Sequence, residues 1–369
     1  MIPPALNLAL SILAEFAIFL IVTLSLNLEV GRTGIAQFGR VLAVMVGAFT
    51  VGGLASRLLA LMLGLPAGAE YTDPLYNSFI VDKINAILSE NIGLGLGYFV
   101  LSLILALIFG ALIGWLTSRP AIRLKEAYLG ISLLAYGDLL MWITYNYQPI
   151  IGGTIGVGVP DPFRMIQAIG GPMGGFYRNI TVVFVMLTIS LLIYFLIEKL
   201  TRSPFGRTLI MHRDNEIAAS AYGLDLIKTR TRSLVLGSAF AALAGALYVL
   251  YVGSCSPAAY SKLTWTFWPW AYMMLGGVGN NLGVLVGVGS FLTVRILLVQ
   301  YRFELVTFLH LPFDPLWLEY TIIGVAIILI VLFRPFGLIP EKPVSTLQKD
   351  KINRILKSIE ENKMKNDAN

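Results

Sequence analysis

Long apolar runs, separated by short polar segments, dominate the chain. A bilayer core of about 30 Å is crossed by a helix of roughly 20 mostly apolar residues. Nine such runs, with an uncertainty of one, occur at 5–28, 36–63, 94–117, 127–148, 179–198, 233–253, 265–280, 283–300 and 317–334. The runs are continuous rather than alternating, which favours helices over barrel strands. The pattern therefore predicts an all-α polytopic transmembrane helix bundle of about nine spans.

Composition agrees with this class. Hydrophobic residues make up 57 % of the 369 residues, and charged residues only 13 %, against roughly 25 % in a soluble domain. The single cysteine, Cys255, excludes an intramolecular disulfide framework. The sequence contains neither a phosphate-binding G-x-x-x-x-G-K-[ST] loop nor a recognisable hydrolase or metalloprotease motif. These observations predict that the chain is not an enzyme and holds no cofactor or metal.

The loop charges predict the orientation of the spans. Lys and Arg accumulate in cytoplasmic loops, and they are concentrated in 199–232, in 118–126 and after Arg334. The acidic 64–93 loop is predicted to lie on the external side of the membrane, as is the Gly/Pro-rich 149–178 loop. We therefore expect an external N-terminus and a cytoplasmic C-terminus, with a transmembrane domain at 1–340 and a charged cytoplasmic tail at 341–369.

Two acids fall inside predicted spans. Glu15 lies in the first span and Asp138 in the fourth, where a charge is costly unless it faces the bundle interior or water. Asp138 could line a pathway or anchor a neighbouring helix, and we expect its side chain to face the bundle interior. No basic partner is evident in a span. The following segment, 150–162, contains Gly152 and Gly153 and could either approach a ligand closely or serve as an ordinary connector.

The 201–228 segment lies between two spans on the basic side. A break at Ser203–Pro204 is followed by a run with helical spacing, and Gly223 is placed to end it. The pattern predicts one short amphipathic helix that either contacts a partner or lies on the inner leaflet.

At this level of detail the chain resembles a known family, the Liv-type permeases of ATP-binding-cassette (ABC) importers for branched-chain amino acids. Five stretches match in order: LSLNLEVGRTGIAQFG, YLGISLLAYGDLL with IGGTIGV, the 203–225 segment, GSCSPAAYSKLTW with MLGGVGNNLGVLVG, and ILIVLFRPFGLI. The closing RPFGL is similar to that of the M-type subunit. Arg40 departs from the family pattern, where a small polar residue is usual, and Thr154 and Ile155 replace its Pro-Asn pair.

The resemblance implies a function and a set of partners. It implies a permease in the cell membrane that takes up branched-chain amino acids or a similar small solute, such as urea or an amide. It also implies a second permease subunit in a heterodimer, two cytoplasmic ATPase subunits, an external solute-binding protein and surrounding membrane lipid, with no role for nucleic acid. The matching positions of the ATPase-coupling loop are Phe205, Gly206, Arg207, Arg213, Asp214, Asn215, Glu216, Ala218, Ala219 and Gly223, and the possible substrate pathway contains Asp138, Gly152 and Gly153. The alternative is an ion-coupled secondary transporter that uses Glu15 and Asp138.

Overall fold

The structure is a computed structural model. It describes residues 4–121, 124, 126–304, 320, 321, 324, 325, 328, 329, 332–334, 336–341 and 353. The loop residues 122, 123 and 125 therefore lie outside the described residues. So do about half of the predicted span 317–334 and nearly all of the predicted tail 341–369.

Helices form nearly all of the described chain. They are α1 (Pro4–Asn27), α2 (Arg40–Phe49), α3 (Ser56–Met62), α4 (Ala69–Thr72), α5 (Pro74–Glu90), α6 (Ile92–Ala121), α7 (Glu126–Asn146), α8 (Gln148–Ile151), α9 (Arg164–Ile169), α10 (Gly174–Arg202), α11 (Pro204–Asp214), α12 (Glu216–Ala221), α13 (Leu226–Val252), α14 (Trp268–Gly276) and α15 (Asn281–Gln300). Wide π-helical turns extend α1 (Leu28–Arg32), join α2 to α3 (Thr50–Ala55) and precede α14 (Leu263–Phe267). Two short strands, β1 (Val157–Gly158) and β2 (Ser254–Cys255), pair antiparallel.

Within the described residues, six helical segments are long and apolar enough to cross a membrane: 5–32, 40–62, 92–119, 171–202, 226–252 and 281–300. They correspond to six of the nine predicted spans, and the all-α membrane bundle is confirmed. The predicted span 127–148 is the 21-residue helix α7, which is not among these six.

The predicted span 265–280 is too short to cross a membrane as a helix. Its π-helical turn has five residues and α14 has nine, so the two together reach about 21 Å at 1.5 Å per residue. Gly276 and Gly277 then end the helix. The chain before the turn is not a continuous helix either, because it contains β2 and a 3₁₀ turn at Pro257–Ala259. Only part of this stretch is therefore helical.

Helix α13 lies at the centre of the bundle, where small residues allow neighbouring helices to approach closely. A Cβ atom at Gly47 on α2 would lie 1.8 Å from the carbonyl oxygen of Ala242, and one at Gly245 would lie 2.0 Å from that of Val44. On α6, Gly110 would meet the Cβ of Ala242 at 2.4 Å. The glycines therefore serve backbone-to-backbone packing in a protein whose helices gain little from the hydrophobic effect inside lipid.

The acidic 64–93 loop of the prediction is helical in the structure. Asp73 caps α5 by accepting a hydrogen bond from the Leu75 N–H at 2.9 Å, and Pro74 occupies the first turn. The Asn77 side chain then binds the end of the bundle that carries β1, since its Oδ1 accepts from the Gly158 N–H at 2.6 Å. This end of the molecule is a small cap of α4, α5, α9 and the β1–β2 pair, opposite the end that carries α11 and α12.

Candidate functional site

The segment between α10 and α13 folds as two helices instead of the single helix predicted. Asn215 breaks the run because its backbone is extended, and its Oδ1 caps α12 by accepting from the Ala218 N–H at 3.0 Å. Gly223 ends α12 with a φ of +80°, a conformation that costs other residues about 1–2 kcal/mol. No atom lies within 4 Å of a Cβ built at Gly223, so its role in this chain is conformational.

The first of these helices is held close to the end of α10. A Cβ atom at Gly206 would lie only 2.0 Å from the carbonyl oxygen of Thr201, so no larger residue fits there without moving α11. Leu209 and Ala219 are buried, with 0 % and 1 % of their surfaces exposed, and Phe205 is half-buried. The inner face of the segment is thereby fixed against the bundle.

The outer face exposes large apolar side chains. Ile217 is 84 % exposed and Tyr222 is 81 % exposed, and both lie on α12 or directly after it. Arg207, Asp214 and Ala218 are exposed beside them. Exposed apolar groups rimmed by polar ones mark interaction surfaces. The family resemblance selected Ala218 on this face but did not select Ile217 or Tyr222.

Arg213 joins the segment to two other parts of the bundle. Its Nη1 donates to the Gly31 carbonyl oxygen at 2.5 Å and to Glu341 Oε2 at 2.8 Å. The other carboxylate oxygen of Glu341 accepts from Arg32 at 2.9 Å. Asp214 contributes a further contact at 3.1 Å to Arg213 Nε. These bonds connect α11 with the π-helical end of α1.

Glu216 makes a second connection inside the chain. Its carboxylate is paired with the guanidinium of Arg230 on α13, and its side chain remains 44 % exposed. The sequence suggested Glu216 as a contact to a partner, whereas the structure shows that it also ties α12 to the central helix.

His212 lies buried on the inner side of α11. Neither ring nitrogen has a hydrogen-bond partner in the part of the chain that the structure describes. Burial lowers the pKa of His212 below its usual value, and the cation of Arg230 adds to this effect. The imidazole is therefore neutral at pH 7 and packs as an uncharged ring.

Asp138 lies on the outer surface of this chain, and the prediction that it faces the bundle interior is wrong. Its carboxylate is 53 % exposed and accepts from Lys262 Nζ at 2.5 Å. Its basic partner, Lys262, lies outside the predicted spans, just before the π-helical turn that leads into α14. This partner pairs with the carboxylate on the surface of the chain. Glu15, the other intramembrane acid, is partly buried on α1.

Gly152 and Gly153 form a buried turn after α8. Their φ angles are +77° and +66°, which favour glycine. A Cβ atom at Gly152 would lie 2.6 Å from the Gly156 carbonyl oxygen, so the turn is also tightly packed. Asp138 stands eight residues before the end of α7, and the structure does not bring it onto this turn. Thr154 and Ile155, just beyond, are exposed.

A buried ion pair near the α11 end of the bundle was missed by the sequence analysis. Arg40 Nη2 lies 2.5 Å from Glu29 Oε2, and both side chains are fully buried. Gln37 Nε2 donates to the same Glu29 oxygen at 2.8 Å. Arg40 had been noticed only as a departure from the family pattern. The turn at 33–39 reverses the chain between the two residues and brings them together, which no periodicity in the sequence reveals.

Buried polar side chains continue around this pair. Asn27 on α1 donates to Asn281 Oδ1 at 2.9 Å and accepts from the Gly279 N–H at 2.8 Å. Asn281 in turn donates to Glu198 Oε2 at 2.7 Å and to Thr201. Thr33 and Ser233 share a hydrogen bond of 2.8 Å. This polar layer connects α1, α10, α13 and α15 directly inside the end that carries α11.

Comparisons with known proteins identify the family. Residues 8–331 match the model of the branched-chain amino acid transport system permease component. A probable branched-chain amino acid transport permease protein LivM of Methanocaldococcus jannaschii is 40 % identical over 336 residues, which cover 91 % of this chain and 94 % of that protein.

Two further relatives are more distant. The high-affinity branched-chain amino acid transport system permease proteins LivM of Salmonella typhimurium and Escherichia coli are 28 % and 27 % identical over 274 residues, which cover 69 % of this chain and 60 % of each of those proteins. No solved structure matches. The chain is a multi-pass membrane protein that belongs to the branched-chain amino acid transport permease family of ABC transporters.

Proposed function

We propose that this chain is one permease subunit of an ATP-driven importer for branched-chain amino acids in the cell membrane. A second permease subunit completes the translocation pathway, two cytoplasmic ATPase subunits supply energy, and an external binding protein delivers the substrate. The end of the bundle that carries α11 and α12 faces the cytoplasm, as does the C-terminus. The names of the relatives, which cover nearly the whole chain in one case, support the choice of substrate.

One observation carries the coupling part of this proposal. The α11–α12 pair exposes Ile217 and Tyr222 at one end of the bundle while its inner face is fixed by Gly206 and Arg213. A surface that is rigidly attached on one side and apolar on the other is suited to transmit force from a bound partner. Phe205, Arg207, Asp214, Asn215, Ala218 and Ala219 complete this proposed ATPase-coupling surface.

Coupling requires that ATPase binding and the state of the pathway influence each other's free energy. Two connections provide the route within this chain. Arg213 leads from α11 to Gly31 at the end of α1, and Glu216 leads from α12 to Arg230 on α13. A movement of the docked segment would therefore shift α1 and the central helix α13. At the opposite end, the Gly152–Gly153 turn borders the proposed pathway where substrate enters.

The proposal is tested by docking variants in the assembled complex. Ile217→Ser and Tyr222→Ser remove the exposed apolar contacts without touching the inner face. We expect both variants to lose co-purification of the ATPase subunits and leucine-stimulated ATP hydrolysis, while the permease still inserts. Tyr76→Ser on α5 is the matched control, because Tyr76 is 59 % exposed at the opposite end. Normal ATPase binding by the two docking variants would contradict the assignment of the surface.

Charge exchange separates docking from internal support. Glu216→Lys should disturb the α12–α13 connection by repelling Arg230, and Arg230→Glu in the same chain should restore it. If the double variant regains the stability of the unmodified chain but not the co-purification of the ATPase subunits, Glu216 also contacts the partner. Uptake that follows an ion gradient in membranes without any ATPase subunit would contradict the ATP-driven function and favour ion-coupled transport.

A further inference from the structure

The Asp138–Lys262 pair occupies an unusual place for two charges. Lys262 Nζ lies 2.5 Å from both carboxylate oxygens of Asp138, yet the side chains are 33 % and 53 % exposed on the surface of the chain. Asp138 is about 12 Å from the C-terminal end of α7 at 1.5 Å per residue, in a helix about 31 Å long. The pair therefore lies at an intermediate depth of the bundle.

Lipid is an unsuitable neighbour for this surface. A charged side chain at the bilayer centre costs about 2.5–3.5 kcal/mol on insertion scales, and such residues face water-filled paths or other protein. No part of the described chain covers the outer side of the pair, which leaves a water-filled path or another protein as its neighbour. In the assembled transporter, the translocation pathway is such a path. This step rests on the proposed function, in which a second permease subunit encloses that pathway.

We propose that Asp138 and Lys262 together recognise the backbone of a zwitterionic α-amino acid during its passage. Lys262 binds the substrate carboxylate and Asp138 binds the substrate ammonium group. A carboxylate alone would attract one end of an amino acid and repel the other, whereas an ion pair that opens meets each end with the opposite charge. The site has no net charge, so it favours a zwitterion over a simple cation or anion, and over uncharged urea or amides.

Exposed apolar side chains flank the pair and fit the substrate side chain. One exposed stripe follows α7 at helical spacing and contains Tyr128, Ile131, Ala135, Asp138, Trp142 and Asn146. Trp142, one turn from Asp138, is 68 % exposed. On the other element, Leu263 follows Lys262 directly and is 40 % exposed. The combination of paired charges with large apolar neighbours indicates an amino acid with an apolar side chain.

The local backbone allows the pair to open without refolding. The Ser261 hydroxyl accepts from the Thr264 N–H at 3.1 Å, and the Trp265 indole donates to the Ala259 carbonyl oxygen at 3.0 Å. These bonds fix the turn that carries Lys262. The flexible lysine stem can then leave Asp138 for a substrate carboxylate, so that one ion pair is exchanged for two.

The test uses the complete reconstituted importer with Lys262→Gln and Asp138→Asn. Each variant removes one charge-assisted contact to the substrate, so leucine uptake should fall about ten- to a hundredfold, with assembly and basal ATP hydrolysis retained. Lys83→Gln and Asp82→Asn are the matched controls, since both residues are exposed on α5 away from the proposed pathway. These controls should transport leucine normally.

A second measurement distinguishes recognition from structural support. In a Cys255→Ser background, Ala135→Cys places a thiol one turn from Asp138, and leucine should slow its labelling by a polar thiol reagent. Leucinamide, which lacks the carboxylate, and 4-methylpentanoate, which lacks the ammonium group, should protect less. With Lys262→Gln, leucine should lose its advantage over leucinamide, and with Asp138→Asn it should lose its advantage over 4-methylpentanoate.

An unchanged order of protection by the three compounds in both variants overturns the assignment. Normal leucine uptake by both variants does so as well. In either case leucine-stimulated ATP hydrolysis by the unmodified importer would leave the proposed function standing. Absence of that stimulation in the unmodified importer overturns the proposed function and this inference together.

Discussion

Removing either partner of the Glu29–Arg40 pair should strongly destabilise the bundle. Both side chains are fully buried and lie 2.5 Å apart, so each is the counter-ion on which the other depends. Removing one partner of a buried pair leaves an uncompensated charge and costs about 3–5 kcal/mol, whereas replacing both with apolar residues is often neutral. We therefore expect Glu29→Ala and Arg40→Met each to cost about 3–5 kcal/mol.

The double variant gives the decisive comparison. If the two effects were independent, Glu29→Ala with Arg40→Met would cost the sum, roughly 6–10 kcal/mol. Because neither charge remains, we expect the double variant to be more stable than either single variant. The assay follows the monodisperse fraction of the purified complex after heating in detergent. Additive losses, or single variants as stable as the unmodified chain, would refute the reasoning.

Three further predictions concern other parts of the bundle. Gly206→Ala should displace α11 and weaken ATPase co-purification, because the added methyl group has no room beside the α10 end; unchanged co-purification would contradict this packing. Burial lowers the pKa of His212 in the folded protein, so protonation of this ring destabilises the fold. The stability should therefore fall as the pH drops below about 6.5, between the pKa of the unfolded chain and the lowered pKa of the folded one. The melting temperature of His212→Gln should fall less than that of the unmodified chain between pH 8 and pH 5. With Cys255→Ser as background, Lys228→Cys should react with an impermeant thiol reagent only from the cytoplasm and Glu70→Cys only from outside, and labelling of both from one side would overturn the orientation.

The sequence predicts best those spans that are marked by one long, continuous apolar run. α1, α6 and α13 follow their apolar runs closely, because a continuous run of about 20 residues has few alternatives in a membrane. The helix α5 was not predicted, since its amphipathic pattern is interrupted by polar residues that bind the β1 region. α14 was predicted too long because the predicted range 265–280 includes three residues of the π-helical turn before it and four residues after its end.

Long-range partners could not be read from the sequence. Lys262 is far from Asp138 along the chain, and only the packing of the turn before α14 against α7 brings the two together. The coupling residues were found as a motif, but their structural roles differ. Gly206 allows α11 to lie close to α10, Arg213 binds the end of α1, and Gly223 ends α12. The assignments of the coupling loop, of Gly152 and Gly153, and of the two chain regions 1–340 and 341–369 remain predictions.

Gly237 illustrates a limit on engineering this bundle by composition alone. It belongs to a stripe of small residues on α13, and replacing glycine with alanine inside a helix is a common way to increase stability. A Cβ atom at Gly237, however, would lie 1.9 Å from Glu29 Oε1, and therefore on the carboxylate that neutralises Arg40. Substitutions at positions 29, 40 and 237, which lie on three helices, therefore depend on one another. A stabilising library should vary them together, because a side chain at position 237 displaces the Glu29 carboxylate and a change at position 29 or 40 alone leaves an unpaired charge.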